Sequence, residues 1–359
     1  MKKLYIAMII AAAALIPALS QRTNNPFSGR WDMTVTGAWG EANQKSPSWM
    51  EVVEKDGNLQ VRVQGRTGNV NPAVAAKREG PRLIVTVNAA APARPEAGNR
   101  PASPARPELV WELTEKGGSL TGTQRQGDKQ WQLTGVRAPA LLRAAPAAWG
   151  NPEPLFNGKD LTGWAVMNYT PHIAGFVPSH WVVKGGELIK EAPGANLRTT
   201  RTFDDFKLHF EYNIAPNSNS GIYLRGRYEV QVGLPAQPAR SGAEAGGSAR
   251  AGGGAGRDAG GASRPPRNPF LGLGCVYGFL GPSTPPPFRP EWQTYDITLV
   301  GRRVTVVFNG VTTIDNGEIP GITGGALDSN EAEPGPLYFQ ADHPGSVRYR
   351  NITISVPKR

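Results

Sequence analysis

Apolar and polar residues alternate in short segments along most of this chain, and no segment keeps a sustained helical period. An alternation of period two places successive side chains on opposite faces, which is typical of half-buried antiparallel strands. Turn residues separate the segments, and Asn309-Gly310 is a strong signal for a two-residue hairpin. The pattern therefore predicts an all-β protein.

The alternating segments fall into two groups, which predict two domains. Residues 26–139 predict a small all-β domain, a barrel or a sandwich, with an accessory role. Residues 140–154 are rich in Pro, Ala and Arg and predict a linker. Residues 155–357 predict a larger β-sandwich. Residues 236–267 interrupt it, and because this Gly/Ala/Ser/Arg/Pro stretch has almost no side chains for a core, we expect it to be disordered.

The first twenty residues have the features of a secretory signal peptide. Lys2 and Lys3 precede an apolar run from Leu4 to Leu19, which is short for a membrane span, and small residues end the run. We expect cleavage near Ser20 and export to the periplasm or the extracellular space. No later segment is apolar for long enough to predict a membrane span.

The net charge of +10 raises the question of an anionic partner. Without Lys2 and Lys3 it is +8, and five of these charges lie in the ranges 88–107 and 234–269, which have no aromatic residues between the arginines. This distribution indicates solvated loops and argues against nucleic-acid binding. The single cysteine, Cys275, excludes an internal disulfide, so burial must stabilise the fold.

The stretch Asn219–Val232 carries the densest set of functional groups in the chain. As a single strand, it would turn its apolar residues towards a core and its polar residues the other way. Such a polar set can bind the hydroxyl and carbonyl groups of a ligand, and we predict that it forms the floor of a site. The alternative is a solvated outer face with incidental ion pairs. The apolar residues are Ile222, Leu224, Tyr228, Val230 and Val232, and the polar ones are Tyr223, Arg225, Arg227, Glu229 and Gln231.

Four segments, in order, resemble the signatures of the 3-keto-disaccharide hydrolase domain family. They are Leu155–Trp164, Asn219–Val232, Glu291–Tyr295, and Phe339–Gly345 together with Arg350-Asn351-Ile352. The resemblance implies a concanavalin A-like jelly roll that acts on glycosides oxidised at C3 of a sugar ring. The preceding domain resembles a small β-domain that sometimes accompanies this module. The long insertion departs from the family pattern.

The implied reaction is an elimination followed by hydration. A ketone at C3 acidifies the proton on C2, so that a base can remove it and the resulting enolate can expel the group on C1. The enzyme needs a base, a cation or hydrogen-bond donors for the enolate oxygen, and a proton source for the leaving oxygen. It does not need the two carboxylates of an ordinary glycosidase.

His343 is the favoured base, because its unperturbed pKa suits proton transfer near neutrality and Asp342 could fix its tautomer. Glu229 is the competing base, and Arg225 is the candidate clamp for the enolate oxygen. The opposing interpretation makes His343 a surface residue and Glu229 a carboxylate neutralised by Arg225 or Arg227.

Further residues are predicted to bind the substrate. Glu211 would lie near Glu229 if the strands 206–214 and 222–232 paired as a hairpin. Two amides would orient sugar hydroxyls, and Tyr223 or Trp292 would stack on the sugar ring. The predicted substrate-binding set is Glu211, Tyr223, Arg227, Gln231, Trp292, Gln340 and Asp342.

No cofactor is required by the sequence, although a divalent metal ion would stabilise an enolate. His209, Glu211, Glu229 and His343 could supply nitrogen and oxygen ligands. They do not follow a known ligand spacing, so the metal stays open.

Other functional classes also remain open. A lectin-like module of the cell envelope would bind carbohydrate on the same polar face without a base. A retaining glycosidase would need two acids about 5 Å apart, usually alternating on one strand, and no such run occurs. A purely structural role would leave the polar face unexplained. The expected partner is a small carbohydrate, and the sequence leaves its linkage and the oligomeric state undetermined.

Overall fold

A computed structural model describes residues 25–37, 43–64, 68–96, 102–169, 175–216, 218–233, 269–289 and 291–358. These residues contain twenty-two β-strands and one 3-10 turn but no α-helix, which confirms the all-β prediction. Within the same ranges no helix is long and apolar enough to cross a membrane. The predicted signal peptide and the insertion 236–267 lie outside the described residues.

The amino-terminal domain is a single antiparallel sheet in the order β4-β3-β2-β1-β9-β8-β7-β6-β5. The link between its two edge strands brings the edges together, because Ala73 N donates to Val61 O (2.8 Å) and Val74 N donates to Thr86 O (2.8 Å). The strands are β1 (Gly29–Thr36), β2 (Lys45–Lys55), β3 (Asn58–Gln64), β4 (Val70–Pro72), β5 (Ala75–Glu79), β6 (Arg82–Asn88), β7 (Leu109–Lys116), β8 (Ser119–Gln126) and β9 (Lys129–Arg137).

One face of this sheet encloses the core of the domain. The residues that alternate with polar ones in the sequence are the buried ones, as the pattern predicted. Each large apolar side chain contributes about 1.5–3 kcal/mol when it is removed from water. Fully buried examples are Trp31, Met33, Leu83, Val85 and Leu133.

The carboxy-terminal domain consists of two antiparallel sheets. The eight-stranded sheet has the order β12-β13-β22-β15-β18-β19-β20, with β10 also paired to β22, and the five-stranded sheet has the order β11-β14-β21-β16-β17. The strands of the larger sheet are β10 (Glu153–Pro154), β12 (Trp181–Lys184), β13 (Glu187–Lys190), β15 (Phe206–Ile214), β18 (Gln293–Val300), β19 (Arg303–Phe308), β20 (Val311–Glu318) and β22 (Val347–Ser355). Those of the smaller sheet are β11 (Trp164–Met167), β14 (Asn196–Thr199), β16 (Ser220–Leu224), β17 (Tyr228–Val232) and β21 (Tyr338–Phe339).

The two sheets pack face to face as a β-sandwich, which confirms the predicted architecture. Phe339 of the five-stranded sheet contacts Tyr349 and Phe210 of the larger sheet, with ring centroids 4.4 and 5.8 Å apart. Phe210 also contacts Tyr295 at 5.2 Å. These rings lie in one apolar core between the sheets.

The stretch Asn219–Val232 forms a hairpin, so the prediction of a single strand was wrong. Arg225 and Gly226 have φ values of 53° and 68°, and Arg227 N donates to Leu224 O across the turn (3.0 Å). This left-handed backbone reverses the chain between β16 and β17.

The predicted division into two faces nevertheless holds. Ile222 lies opposite Val230, and Tyr223 lies opposite Glu229. Residues opposite one another in an antiparallel pair share a face, so the reversal returns the second strand in the same alternation as the first. All five apolar residues of the stretch belong to the sandwich core.

β15 does not pair with this hairpin. It pairs with β18 and β22 in the eight-stranded sheet. The premise that would bring Glu211 close to Glu229 is therefore wrong, because the two residues lie on different sheets.

Candidate active site

Four polar side chains form a row across the five-stranded sheet, on the face opposite the core. Arg198 of β14 lies opposite Tyr338 of β21, Tyr338 lies opposite Tyr223 of β16, and Tyr223 lies opposite Glu229 of β17. Opposite residues share a face, so all four project to the same side. We call Arg198, Tyr338, Tyr223 and Glu229 the polar row.

A second line of polar groups runs beside the polar row. Gln340 N donates to Gly221 O (2.9 Å), and Gly221 lies opposite Gln231, whose amide donates to the side chain of Asn219. A side chain at position 221 would overlap the carboxylate of Glu229. Because position 221 is glycine, the Glu229 carboxylate can lie over it, next to Gln231 and Gln340.

The two tyrosines of the polar row stack on each other. Their ring centroids are 4.0 Å apart and the rings are nearly parallel, at 9°. The Tyr223 hydroxyl lies 2.7 Å from Gly324 O, and the Tyr338 hydroxyl donates to Gly325 O. Both phenol groups are therefore held at fixed positions by adjacent carbonyls of one loop.

Tyr223 also contacts the carboxylate, with its hydroxyl 2.9 Å from Oε2 of Glu229. A phenol has one proton to donate. When Tyr223 donates it to Gly324 O, its contact with Glu229 is a hydrogen bond only if the carboxyl is protonated and donates to the phenol oxygen. When Glu229 is ionised, Tyr223 donates to Glu229 instead. Tyr223, Glu229 and Gly324 O therefore have two possible hydrogen-bond arrangements, one with Glu229 protonated and one with Glu229 ionised.

Glu229 is only 4% exposed, and burial raises the pKa of its carboxyl to about 8. The hydrogen bond from Tyr223 opposes this shift, and the negative charge of Asp342 adds to it. A carboxyl group with this pKa exchanges a proton near neutral pH, which is the property that a general acid or base requires.

Lys190 approaches the same region from β13 of the other sheet. It is fully buried, and its Nζ donates to Asn219 O (3.0 Å) and His343 O (2.9 Å). Burial lowers the pKa of Lys190 to about 8, against the opposing influence of Asp342. Its two hydrogen bonds tie together the backbone segments that precede β16 and follow β21.

Two acceptor atoms near the polar row have no partner among the described residues. They are Oε1 of Gln340 and Oδ1 of Asp342, and both atoms are buried. Buried acceptors are usually hydrogen-bonded, so these two oxygens lack the partner that such atoms normally have.

Residues 151–355, more than half of the chain, match the profile of the 3-keto-alpha-glucoside-1,2-lyase-like domain family. The chain belongs to this family. The match confirms the resemblance inferred from the four segments, and it places this lyase-like protein among carbohydrate-active proteins that act on glycosides.

Solved structures with limited similarity include two putative glycosyl hydrolases from Parabacteroides distasonis ATCC 8503. Each is 19% identical, with TM-scores of 0.38 and 0.36. The first alignment covers 58% of this chain and 94% of the other, and the second covers 57% and 98%. Alginate lyase AlyC3 aligns at 8% identity over 48% of this chain and 76% of its own, with a TM-score of 0.25. No curated protein matches the chain.

Arg198 is a residue of the lyase-like domain that the sequence analysis did not single out. Its side chain is exposed, and among the described residues it has no hydrogen bond or ion pair. Its place in the polar row follows from the pairing of β14 with β21, two strands more than one hundred residues apart, and no local motif indicates this pairing.

Five of the predicted site residues come together on this face. Tyr223, Glu229 and Gln231 lie on the hairpin, and Gln340 and Asp342 lie at and beyond the end of β21. His343 follows Asp342 in the chain and is half-buried. Its catalytic role stays a prediction.

The structure places Arg225 elsewhere. Arg225 is fully buried, and its guanidinium donates to the backbone carbonyls of Gly301, Glu331 and Glu333. A side chain that is 0% exposed does not meet a ligand, so the proposed contact with an enolate oxygen is corrected to a role in holding loops. Strand alternation predicted that Arg225 lies on the polar face, but the residue belongs to the turn between β16 and β17.

Arg227 is also engaged by a loop. Its Nε donates to Asp328 (2.7 Å) and its Nη1 donates to Glu333 O (2.8 Å). Both of these donors are taken by the loop, so Arg227 too holds structure on the far side of the turn.

Glu211, Trp292 and His209 belong to the outer face of the eight-stranded sheet. Glu211 accepts from Arg350 (2.7 Å), which also lies 3.8 Å from the ring centroid of Trp292. His209 pairs with Asp296 at 2.8 Å. The predicted grouping of these residues with the hairpin is wrong, because they lie at the eight-stranded sheet whereas the hairpin belongs to the five-stranded sheet.

The predicted metal ligands are consequently separated. His209 and Glu211 lie on one sheet and Glu229 on the other. Among the residues with described coordinates, no group of three or more His, Cys, Asp or Glu side chains could hold a metal ion. The four residues His209, Glu211, Glu229 and His343 therefore do not form one ligand set.

Proposed function

We propose that the carboxy-terminal domain cleaves 3-keto-glycosides or 3-keto-disaccharides by removal of the C2 proton, elimination and hydration. Family membership supports the substrate class. The observation that supports the chemistry is the buried Glu229 carboxyl with its raised pKa, hydrogen-bonded to Tyr223 on a polar sheet face.

Glu229 is the proposed base. The strength of a carboxylate as a base increases with its pKa, so the Glu229 carboxylate removes a weakly acidic C2 proton better than an ordinary carboxylate does. The tyrosine hydroxyl then accepts a hydrogen bond from the newly protonated carboxyl while it donates to Gly324 O. The two proton arrangements of this trio correspond to the states before and after the transfer.

Arg198 is the proposed partner of the enolate oxygen. When the C2 proton leaves, the electron pair moves to the oxygen on C3, and a guanidinium stabilises that charge. Arg198 lies in the same row as Glu229, and no described residue neutralises it.

The remaining steps complete the hydrolysis. The C3 carbonyl forms again, a double bond forms between C1 and C2, and the bond from C1 to the leaving oxygen breaks. His343 is the proposed proton donor to that oxygen, because its half-buried imidazole follows Asp342 at the edge of the polar face. Water then adds its oxygen to C1 and gives one proton to His343, while Glu229 returns a proton to C2.

The test compares a 3-keto-glucoside with its unoxidised parent glycoside in D₂O. We expect release of the leaving group from the keto compound alone, with deuterium at C2 of the sugar product. Equal cleavage of both compounds contradicts the mechanism.

A carbohydrate-binding module without catalysis is the second candidate. The unpartnered acceptors of Gln340 and Asp342 support it, because they suit sugar hydroxyls whether or not a base is present. Calorimetric binding of the 3-keto compound without any turnover would favour this function.

Export is part of the proposal, on the basis of the amino-terminal sequence. A fusion of residues 1–20 to a reporter that is active only outside the cytoplasm tests it. An inactive reporter contradicts export by this segment.

A further inference from the structure

One short loop segment, residues 321–325, determines the positions of three groups of the polar row. Thr323 Oγ1 accepts from Glu229 N (2.8 Å), which fixes the backbone that carries the carboxylate. The next two carbonyls, of Gly324 and Gly325, accept the hydroxyl protons of Tyr223 and Tyr338. The segment therefore sets both the location of Glu229 and the proton positions of its neighbours.

The segment has no room to move towards the tyrosines. Gly325 has a φ of +87°, and a Cβ at this position would overlap the hydroxyl of Tyr223. Its position consequently depends on what holds it from the opposite side.

The amino-terminal domain holds that opposite side. Gln64, at the end of β3, donates from Nε2 to Ile322 O (3.0 Å). The Trp49 indole covers Gly321 so closely that a Cβ there would overlap the ring, and a Cβ on Gly324 would overlap the backbone of Gly68. Trp49 and Gln64 are buried in this contact, at 0% and 5% exposure.

We propose that the amino-terminal domain positions the active-site segment 321–325, and that Trp49, Gln64 and Gly68 are the positioning residues. The domain lies outside the residues that match the family profile. This inference rests on the proposed role of Glu229 as the base. The amino-terminal domain, which the sequence predicted to be accessory, thereby helps to position Glu229.

The chemical consequence follows from the single proton of Tyr223. Gly324 O competes with Glu229 for that proton, so the phenol stabilises an ionised Glu229 less than it would without this carbonyl, and the carboxyl keeps its proton more strongly. If the segment moves away, Tyr223 donates to the carboxylate instead, and the pKa of Glu229 falls. Asp342 is the other titratable group that acts on Glu229, and Glu229 in turn raises the pKa of the neighbouring Tyr338, Cys275 and Tyr277 side chains, in addition to burial.

Two pairs of variants test this inference in the full-length protein. Gln64→Met removes the hydrogen bond to Ile322 O, and Gln60→Met makes the same exchange at an exposed position of the same strand. Gly68→Ala places a methyl group against Gly324, whereas Gly57→Ala introduces the same change at a left-handed glycine with open space around it.

The first readout needs no substrate. Glutamate labelled with ¹³C at the side-chain carboxyl is followed by NMR over pH, and the Glu229 signal is assigned by its absence in Glu229→Gln. We expect Gln64→Met and Gly68→Ala to lower the titration midpoint by about one pH unit, since that is the size of one hydrogen bond to a charged group. The two control variants should titrate as the wild type does.

The second readout is activity on the 3-keto-glucoside. At pH 9, where Glu229 is largely ionised in every variant, we expect kcat to fall by up to about tenfold for Gln64→Met and Gly68→Ala because the carboxylate is a weaker base, with little change in KM because the substrate contacts remain. A Glu229 midpoint that stays at its wild-type value in folded Gln64→Met and Gly68→Ala overturns the inference. Absence of turnover in the wild type overturns the proposed function alone, since the titration is measured without substrate.

Discussion

Glu211 of β15 and Glu229 of β17 are only 18 residues apart in the chain but lie on opposite sheets of the sandwich, and their environments differ. Glu211 is half-buried on the outer face, where it accepts hydrogen bonds from Asn351 and Arg350, and these partners hold its pKa below the ordinary value although partial burial opposes them. Glu229 is nearly buried, has no cationic partner among the described residues, and its pKa is raised to about 8.

The comparison shows that burial and partners decide the chemistry of a carboxyl group, and that residue type does not. A carboxylate held between an arginine and an asparagine stays ionised and is a weak base. A carboxyl group beside a phenol and a second acid exchanges its proton near neutrality. The same distinction applies to the arginines, since Arg198 is exposed and Arg225 is fully buried.

The largest expected difference is between Glu229→Gln and Glu211→Gln. We expect Glu229→Gln to lower kcat on a 3-keto-glucoside by about 10³-fold, on the order of 4 kcal/mol, because it removes the base. Glu211→Gln should stay within about twofold of the wild type, because it alters only a partly exposed ion pair. Steady-state kinetics with both purified variants measure the difference. Equal losses would refute the distinction between the two faces.

A smaller effect is expected for the two arginines. Arg198→Met should lower kcat/KM by about 10²-fold, through loss of charge stabilisation at the enolate oxygen, and leave the free energy of unfolding nearly unchanged. Arg225→Met should instead lower the free energy of unfolding by about 2–4 kcal/mol, because the backbone carbonyls of the buried residues Gly301 and Glu331 lose a donor. Urea titration and kinetics on both variants separate the roles. Destabilisation by Arg198→Met with activity intact would remove Arg198 from the site.

The smallest effect concerns pH. The carboxyl of Glu229 must be ionised to accept a proton, and its raised pKa means that the ionised form is lost as pH falls below about 8. We expect kcat/KM to decrease about tenfold from pH 7 to pH 6. Glu211 is ionised throughout this range and therefore causes no decrease of kcat/KM between pH 7 and 6. A profile that is flat from pH 8 to 6 would show that another group is the base.

The polar face was largely predictable because strand alternation survives the turn. The reading of 219–232 as one strand missed the turn at Arg225, but the pairing of Tyr223 with Glu229 keeps both residues on the same side. Had the turn contained one residue more or fewer, that pairing would have changed and the predicted faces would have failed. The two arginines of the turn were misassigned for the same reason.

Arg198 and Lys190 were not predictable from local patterns. Arg198 reaches the polar row through the pairing of β14 with β21, and Lys190 reaches the backbone of Asn219 and His343 from the opposite sheet. Trp49 and Gln64 contact the site loop across the two domains. These contacts join residues that are far apart in the chain, and no periodicity or spacing encodes them.

The amino-acid sequence by itself determined the all-β class and the family of residues 151–355. Alternation, turn residues and short motifs depend only on residues that are close in the chain, so they can be recognised without knowing how the strands pair. Only the tertiary structure decided which acid is buried beside a phenol and which is paired with an arginine. The pKa of a side chain depends on charges and burial within a few ångströms, and in a β-sandwich those neighbours come from distant strands.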